Sequence, residues 1–191
     1  MPLSPREMLT AIRSNMKEKT GKTLEQWVKL VKKDGPADPK TWRGWLKSEH
    51  GLGHVTAGVV AMEAQGKDRI SVYEKPDELV DSMYSGPKAD LRPIHDALVK
   101  VASKLGKDVQ VSPCKTYVAL RRKKQFAIVK PSTRTRVDLG LCLPDIEPEG
   151  RLEPAKSKGS DRVTHHIKLE SAKQIDAEVK RWLKAAYEAS A

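Results

Sequence analysis

The feature that most constrains the fold is the stretch from Lys115 to Leu141, in which short apolar runs alternate with basic residues. The apolar positions are residues 117–120, residues 126–129, and positions 137, 139 and 141. Short apolar runs of this kind, rich in β-formers and separated by polar residues, are typical of strands half-buried on a sheet. The stretch therefore predicts three antiparallel strands joined by two tight connections.

Basic charge is concentrated in the same stretch. Residues 111–140 contain eight Lys or Arg and one acid, Asp138, so they carry +7 of the chain's net charge of +11. The eight cations are Lys115, Arg121, Arg122, Lys123, Lys124, Lys130, Arg134 and Arg136. A dense basic patch on a sheet attracts polyanions. Tyr117 lies among these cations and can stack on a nucleic-acid base, although a single aromatic residue on a strand is also typical of a core.

Composition and periodicity divide the chain into two domains. Residues 1–66 contain repeated helix-start signals, including capping boxes that begin at Ser4 and at Thr23, the second with Gln26. Gly-rich or Lys-rich loops separate them, which predicts a four-helix bundle. The acidic stretch 67–89 is interpreted as a linker with a short helix after Pro76, and packing of that helix on one of the neighbouring domains is left open. Residues 90–191 predict an α+β domain, in which an open antiparallel sheet containing the basic strands is backed by two helices. Within it, residues 144–161 are rich in Pro, Glu, Lys and Gly, which predicts a long exposed loop. The fold class is therefore α+β.

A second candidate site lies at the turn Gly51-Leu52-Gly53-His54 in the helical domain. It resembles the turn of a helix-hairpin-helix, in which backbone N–H groups at a helix start can hold a phosphate without reading sequence. Gly51, Gly53 and His54 are therefore candidate nucleic-acid-binding residues. The alternative is that Gly51 only ends one helix and Gly53 only allows the next one to begin.

The sequence assembles no catalytic, metal or cofactor site. Residues 20–23 end like a phosphate-binding loop but lack its first glycine and the strand that should precede it. His165 and His166 are neighbours on a predicted strand, so their side chains point to opposite faces and do not easily share a metal ion. We therefore expect no cofactor and no metal, and a non-enzymatic protein is favoured over an enzyme.

Two observations bear on the cellular compartment. The chain has only two cysteines, Cys114 and Cys142, which is typical of a reducing environment. No segment approaches the roughly 18 consecutive apolar residues that a membrane helix requires, and the first 15 residues lack the apolar core of a signal peptide. A cytoplasmic protein is expected.

Longer segments of the chain resemble two protein families. The segments SPREML, EKTGKTLEQW and WLKSEHGLGH resemble a helical bacterial family that is catalogued as a domain of unknown function. The run KTYVALRRKKQFAIVKPSTRTRVDLGL, with DRVTHHIKL and WLKAAYEAS, resembles a second uncharacterised family of α+β fold. Modules similar to the second family occur joined to nuclease-like domains, which favours work on nucleic acid. Neither resemblance implies particular catalytic residues.

The expected function is phosphate-directed nucleic-acid binding by the basic face of the sheet, with DNA preferred to RNA as the partner. Two alternatives use the same face. One is a small-molecule or enzymatic module in which Tyr117, Arg121, Lys123 and Arg136 line a pocket for an anion. The other is an adaptor that binds an acidic protein. A membrane partner is not expected.

Overall fold

In a computed structural model, the chain is described for residues 3, 5–68, 73, 75–155 and 162–191. Contacts within the chain divide these residues into two compact units, residues 3–75 and 76–191. Each unit has its own cluster of buried apolar side chains. Ser4, which the sequence places at the first helix start, lies outside the described residues. None of the described helices is long and apolar enough to cross a membrane.

The first unit is helical, as the sequence predicts. Its helices are α1 (Pro5–Ser14), α2 (Met16–Thr20), α3 (Leu24–Asp34), α4 (Trp42–Ser48) and α5 (His54–Ala64). The short α2 is an addition to the four predicted helices, and it follows a break at Asn15. Helix α3 begins with the predicted capping box, because the Thr23 and Gln26 side chains each accept a hydrogen bond from the other residue's backbone N–H. The core is formed mainly by Leu9, Met16, Trp27, Val31, Leu46 and Val60.

The second unit has the predicted α+β architecture. Its helices are α6 (Pro76–Met83), α7 (Arg92–Ser103) and α8 (Ala177–Glu188), with a 3-10 helix at Gly86–Leu91 before α7 and another at Ala172–Gln174 before α8. Its strands are β1 (Gln110–Pro113), β2 (Val118–Arg121), β3 (Gln125–Pro131), β4 (Val137–Leu141), β5 (Glu153–Pro154) and β6 (His165–Leu169). They form one antiparallel sheet in the order β1-β2-β3-β4-β6-β5.

The pairing register separates the two faces of this sheet. Val129, Leu139 and Ile167 are paired neighbours on β3, β4 and β6, and all three are fully buried in the core with α7 and α8. The adjacent positions, Ile128, Gly140 and His166, form the next row across the same strands. Because successive side chains of a strand point to opposite faces, this second row belongs to the outer face, away from the helices.

The segment 144–155 contributes more than the exposed loop that the sequence predicts. Leu152 is only 1% exposed and lies in the core of the second unit. Glu153 and Pro154 form β5 and pair with β6 at the edge of the sheet. The rest of the predicted loop, residues 156–161, lies outside the described residues.

Helix α6 lies in the second unit, although the sequence places it in a linker over residues 67–89. Its residues Val80 and Met83, and Tyr84 directly after it, are buried and belong to the same core as the sheet. Arg92 at the start of α7 forms an ion pair with Asp81, with 2.6 Å between guanidinium Nη1 and carboxylate Oδ1. Residues 76–91 therefore cover part of the sheet's inner face.

A buried histidine lies in this region. His95 on α7 is 4% exposed, and its ring packs against Tyr84 with 4.9 Å between ring centroids. Its Nδ1 atom is buried and has no hydrogen-bond partner among the described residues. Burial lowers the pKa of His95, an effect that the Asp96 carboxylate opposes and the Arg92 guanidinium reinforces.

This histidine should make the protein less stable in mild acid. In the unfolded chain His95 takes up a proton near pH 6.5, whereas in the folded protein it does so only at lower pH. Protonation then favours the unfolded chain, so the free energy of unfolding should fall below pH 6.5, by at most about 1.4 kcal/mol per pH unit. Urea unfolding at pH 7.5 and pH 5.5 measures this loss.

The control is His95→Phe, which keeps a ring beside Tyr84 but has no proton to gain. This variant should lose less stability than the wild type between the two pH values. Equal losses in the two proteins would show that His95 does not cause the acid sensitivity.

Candidate nucleic-acid interface

The basic residues of the stretch 115–136 lie at two ends of the sheet. The β1–β2 connection, residues 114–117, and the β3–β4 connection, residues 132–136, lie at one end, because Val118 pairs with Val129 near the end of β3. The β2–β3 turn, residues 122–124, lies at the other end. A strand of seven residues such as β3 separates the ends by about 20 Å. The predicted basic face is thus two separate groups of cations.

The first group lines a concavity of about 500 Å3, and none of the described residues that line it is acidic. Its cations are Lys88, Lys115, Lys130 and Arg134, and we call this surface the basic concavity. Lys115, Lys130 and Arg134 are exposed. Lys88 is half-buried, and its Nζ donates a hydrogen bond of 2.7 Å to the Pro131 carbonyl oxygen. The 3-10 helix that carries Lys88 is thereby tied to the end of β3.

Hydroxyl groups also line the basic concavity, together with Met83, Pro87 and Pro131. Ser82, Ser85, Thr116 and Ser132 all line it. A hydroxyl can donate a hydrogen bond to an anionic oxygen, and a lysine ammonium can donate three. Four cations with hydroxyl donors and no competing carboxylate form a surface that can accept a phosphate or a short run of phosphates.

The group at the other end of the sheet is partly engaged inside the protein. Arg122 forms an ion pair with Asp108, with 2.6 Å between Nε and Oδ2, and its guanidinium lies 4.5 Å from the centre of the Tyr187 ring. Tyr187 donates a hydrogen bond of 2.7 Å to the same Asp108. Hydrogen bonds from Tyr187 and Arg122 lower the pKa of the Asp108 carboxyl. Arg122 therefore fastens the β2–β3 turn to α8.

The other residues that the sequence predicts for the basic face differ in burial and in their contacts. Arg121 is half-buried at the end of β2, whereas Lys123 and Lys124 are exposed in the turn. Tyr117 is half-buried in the β1–β2 connection, where its carbonyl oxygen accepts a hydrogen bond from the Cys114 N–H. Arg136 is half-buried, and its Nε lies 2.8 Å from Oδ1 of Asp138. The structure thus brings together three of the nine predicted residues of the sheet, Lys115, Lys130 and Arg134, in one concavity.

The outer face of the sheet carries a second concavity, of about 430 Å3, beside the first. We call it the outer-face cavity, and it shares Lys130 and Ser132 with the basic concavity. Its remaining lining consists of Ile128, Arg136, Asp138, Gly140, Ala155, Val163, His166 and Lys168. At its edge Glu153 pairs with Lys168 at 2.7 Å and lies 3.5 Å from His166 Nε2.

The glycine turn of the helical unit has the predicted local form. Gly51 has φ +65°, and its N–H and that of Leu52 bond back to the α4 carbonyls of Lys47 and Leu46, so Gly51 ends the helix in a left-handed conformation. Gly53 is the N-cap residue of α5. Its backbone is extended, and no side chain caps the helix there. The exposed His54 ring contacts the Arg43 guanidinium. The geometry agrees with a structural role for Gly51, and a phosphate-binding role for the turn stays a prediction.

The thiols and the histidines form no reactive centre in the part of the chain that the structure describes. Cys114 and Cys142 are free and half-buried, and burial raises the pKa of both thiols, to about 11 for Cys142. His165 is buried and His166 is half-buried on the opposite face, as the alternation of β6 predicts. No group of three or more metal-ligating side chains occurs among the described residues.

Two family models match the chain. The model described as a domain of unknown function, DUF5655, matches residues 80–190, which is more than half of the chain. The chain belongs to the DUF5655 family. A second model, described as the domain of unknown function DUF4287, matches residues 5–66. The predicted resemblance to two families of unknown function is confirmed. No curated protein and no solved structure matches the chain.

Sequence reasoning missed several residues of this DUF5655 domain. Lys88 joins the basic concavity from a segment that the sequence assigns to a linker, 43 residues before the Pro131 carbonyl that it contacts. Gly140 and Lys168 line the outer-face cavity without having been recognised. Gly140 is the one of these residues that the sequence could have indicated, because an isolated glycine within a strand often marks a close approach to the backbone.

Proposed function

We propose that this protein binds nucleic acid through backbone phosphates at the basic concavity of its DUF5655 domain. The observation that carries the proposal is the lining of this surface, where four cations meet and no acidic residue is found among the described lining residues. Elsewhere in the same domain, cations such as Arg92, Arg122 and Arg151 are neutralised by ion pairs. An unneutralised group of cations has an attractive field for a polyanion.

The shape of the basic concavity favours the phosphates of a nucleic-acid chain over a single small anion as its ligand. Lys115, Lys130 and Arg134 come from two neighbouring connections and one strand end, and they are exposed. Exposed cations in an open groove can each approach a different phosphate of one chain, whereas a small anion is normally enclosed by its ligands. The exposed Lys123 and Lys124, about 20 Å away at the far end of β3, could contact the same nucleic acid only if it ran along the sheet.

Titration of a fluorescently labelled 20-nucleotide DNA with the full-length protein tests the proposal. At 50 mM salt we expect saturable binding in the micromolar range, as is usual for phosphate-directed contacts. A labelled 20-residue polyglutamate peptide provides the control, since it has a similar charge but no phosphate. Much weaker binding of the peptide is expected. Absence of DNA binding at 50 mM salt would overturn the proposal, and equal binding of the peptide would favour an adaptor for acidic proteins.

Amide chemical shifts in the same titration locate the contact. The largest changes are expected in residues 82–88, 115–117 and 130–136, which line or flank the basic concavity. Changes confined to residues 43–55 would instead assign binding to the glycine turn of the helical unit.

A further inference from the structure

The outer-face cavity differs from the basic concavity in its chemistry. One side is apolar and consists of Ile128, Val163, Ala155 and the backbone of Gly140. A Cβ atom at position 140 would lie 2.7 Å from Ile128 Cγ1 and 2.9 Å from Val163 Cγ1, closer than real Cβ contacts. The absence of a side chain at Gly140 therefore lets these two side chains meet over β4 and form an apolar floor.

The polar side of this cavity contains a carboxylate. Asp138 on β4 is paired in register with Lys130 on one side and Lys168 on the other. Asp138 is half-buried and forms an ion pair with Arg136, in which Oδ1 lies 2.8 Å from the guanidinium Nε. Oδ1 of Asp138 is buried against Arg136, and Oδ2 accepts a hydrogen bond of 3.4 Å from Arg136 Nη2. A carboxylate here disfavours a phosphate inside the cavity but can accept a hydrogen bond from a ring N–H or an amino group.

The volume of the outer-face cavity and its position beside the basic concavity further restrict the ligand that it can accept. A volume of about 430 Å3 is within the range of sites for small organic molecules. The cavity opens beside the basic concavity, and Lys130 and Ser132 belong to both. A phosphate held by Lys130 would therefore bring the group attached to it to the edge of the apolar floor.

We propose that the outer-face cavity accepts one unpaired nucleobase of a nucleic-acid strand whose phosphates lie in the basic concavity. The base covers Ile128 and Val163, and its N–H or amino group donates to Asp138. A paired base in a duplex cannot enter, so the protein should prefer single strands. This inference rests on the proposed function and adds the class of ligand to it.

A strand without bases provides the direct test. Full-length protein is titrated at 50 mM salt with a labelled mixed-sequence 20-nucleotide DNA strand and with an abasic strand of the same length and charge. Phosphate contacts alone would bind both equally, whereas contact with one base should make the normal strand about tenfold tighter. A duplex of the same sequence should bind more weakly than the single strand.

The variant Ala155→Leu assigns this preference to the cavity. Ala155 lines the cavity and is half-buried, so a larger aliphatic side chain there occupies the space of the base without adding an aromatic surface. We expect the variant to bind the normal strand as weakly as the abasic one, and to bind the abasic strand as the wild type does. Ala177→Leu, at an exposed position on α8, adds the same group elsewhere and should change nothing.

Each result has a distinct meaning. Equal binding of normal and abasic strands by the wild type would overturn the base site while leaving the proposed function intact. A preference for the normal strand that persists in Ala155→Leu would place the base at another surface and overturn this assignment. Failure of both strands to bind would overturn the proposed function, and the base site with it.

Discussion

Replacing Lys115, Lys130 and Arg134 together by glutamine is expected to weaken single-stranded DNA binding by about 100-fold or more at 50 mM salt, because three phosphate contacts are lost. The three side chains are exposed and line one concavity. Their removal should leave thermal unfolding almost unchanged, since exposed substitutions rarely alter stability by more than about 0.5 kcal/mol. Anisotropy titrations and melting curves of the variant measure both quantities.

A matched variant separates local contacts from overall charge. Lys100 in α7, Lys104 directly after α7 and Lys180 in α8 are exposed, and none of them lines the basic concavity. Changing these three to glutamine lowers the net charge by the same amount, but affinity should fall only slightly. An equally large loss in both triple variants would show that net charge alone drives binding, and that the basic concavity is not a site.

The turn at the other end of β3 provides a comparison within the basic stretch. Changing Lys123 and Lys124 to glutamine removes its two exposed cations. If the nucleic acid lies mainly in the basic concavity, the loss of affinity should be smaller than for Lys115, Lys130 and Arg134. A larger loss would move the interface to the β2–β3 turn.

A fragment that begins at residue 90 should be unable to fold, whereas one that begins at residue 76 should unfold cooperatively. The shorter fragment lacks the buried side chains of Val80, Met83 and Tyr84. Burial of a large apolar side chain contributes about 1.5–3 kcal/mol, so the three together contribute about 5–9 kcal/mol. That loss equals much of the stability of a typical domain. The ion pair between Asp81 and Arg92 is lost as well.

Thermal unfolding followed by circular dichroism measures the difference between the two fragments. A cooperative transition is expected for residues 76–191 and a broad, weak one for residues 90–191. Similar melting temperatures for both would show that helix α6 is dispensable for the fold of the second unit.

The strands were predictable because the apolar side chains repeat with the period of a half-buried sheet. Residues 118–121, 125–131 and 137–141 form strands where the sequence places its three apolar runs. The distribution of charge between two ends also follows from topology, although the sequence interpretation treated the cations as one face. Consecutive connections of an antiparallel sheet lie at opposite ends, so Lys115 and Arg134 share an end that Lys123 does not.

The candidate site was less predictable because its parts are distant in sequence. Lys88 reaches the end of β3 from a 3-10 helix whose packing depends on tertiary contacts. The acidic composition of residues 74–90 suggested a linker, but the acids of α6, Asp77, Glu78 and Asp81, are exposed while Val80 and Met83 of the same helix are buried. Local composition does not reveal which face of a short helix finds a partner.

The dependence of binding on salt tests the central claim most directly. The logarithm of the association constant for single-stranded DNA is plotted against the logarithm of salt concentration, for the wild type and for the variant with glutamine at positions 115, 130 and 134. Single strands release about 0.7 counterions per phosphate contact, so the variant's slope should be shallower than the wild-type slope by about 2. Equal slopes for the two proteins would contradict the claim that these three cations contact phosphates.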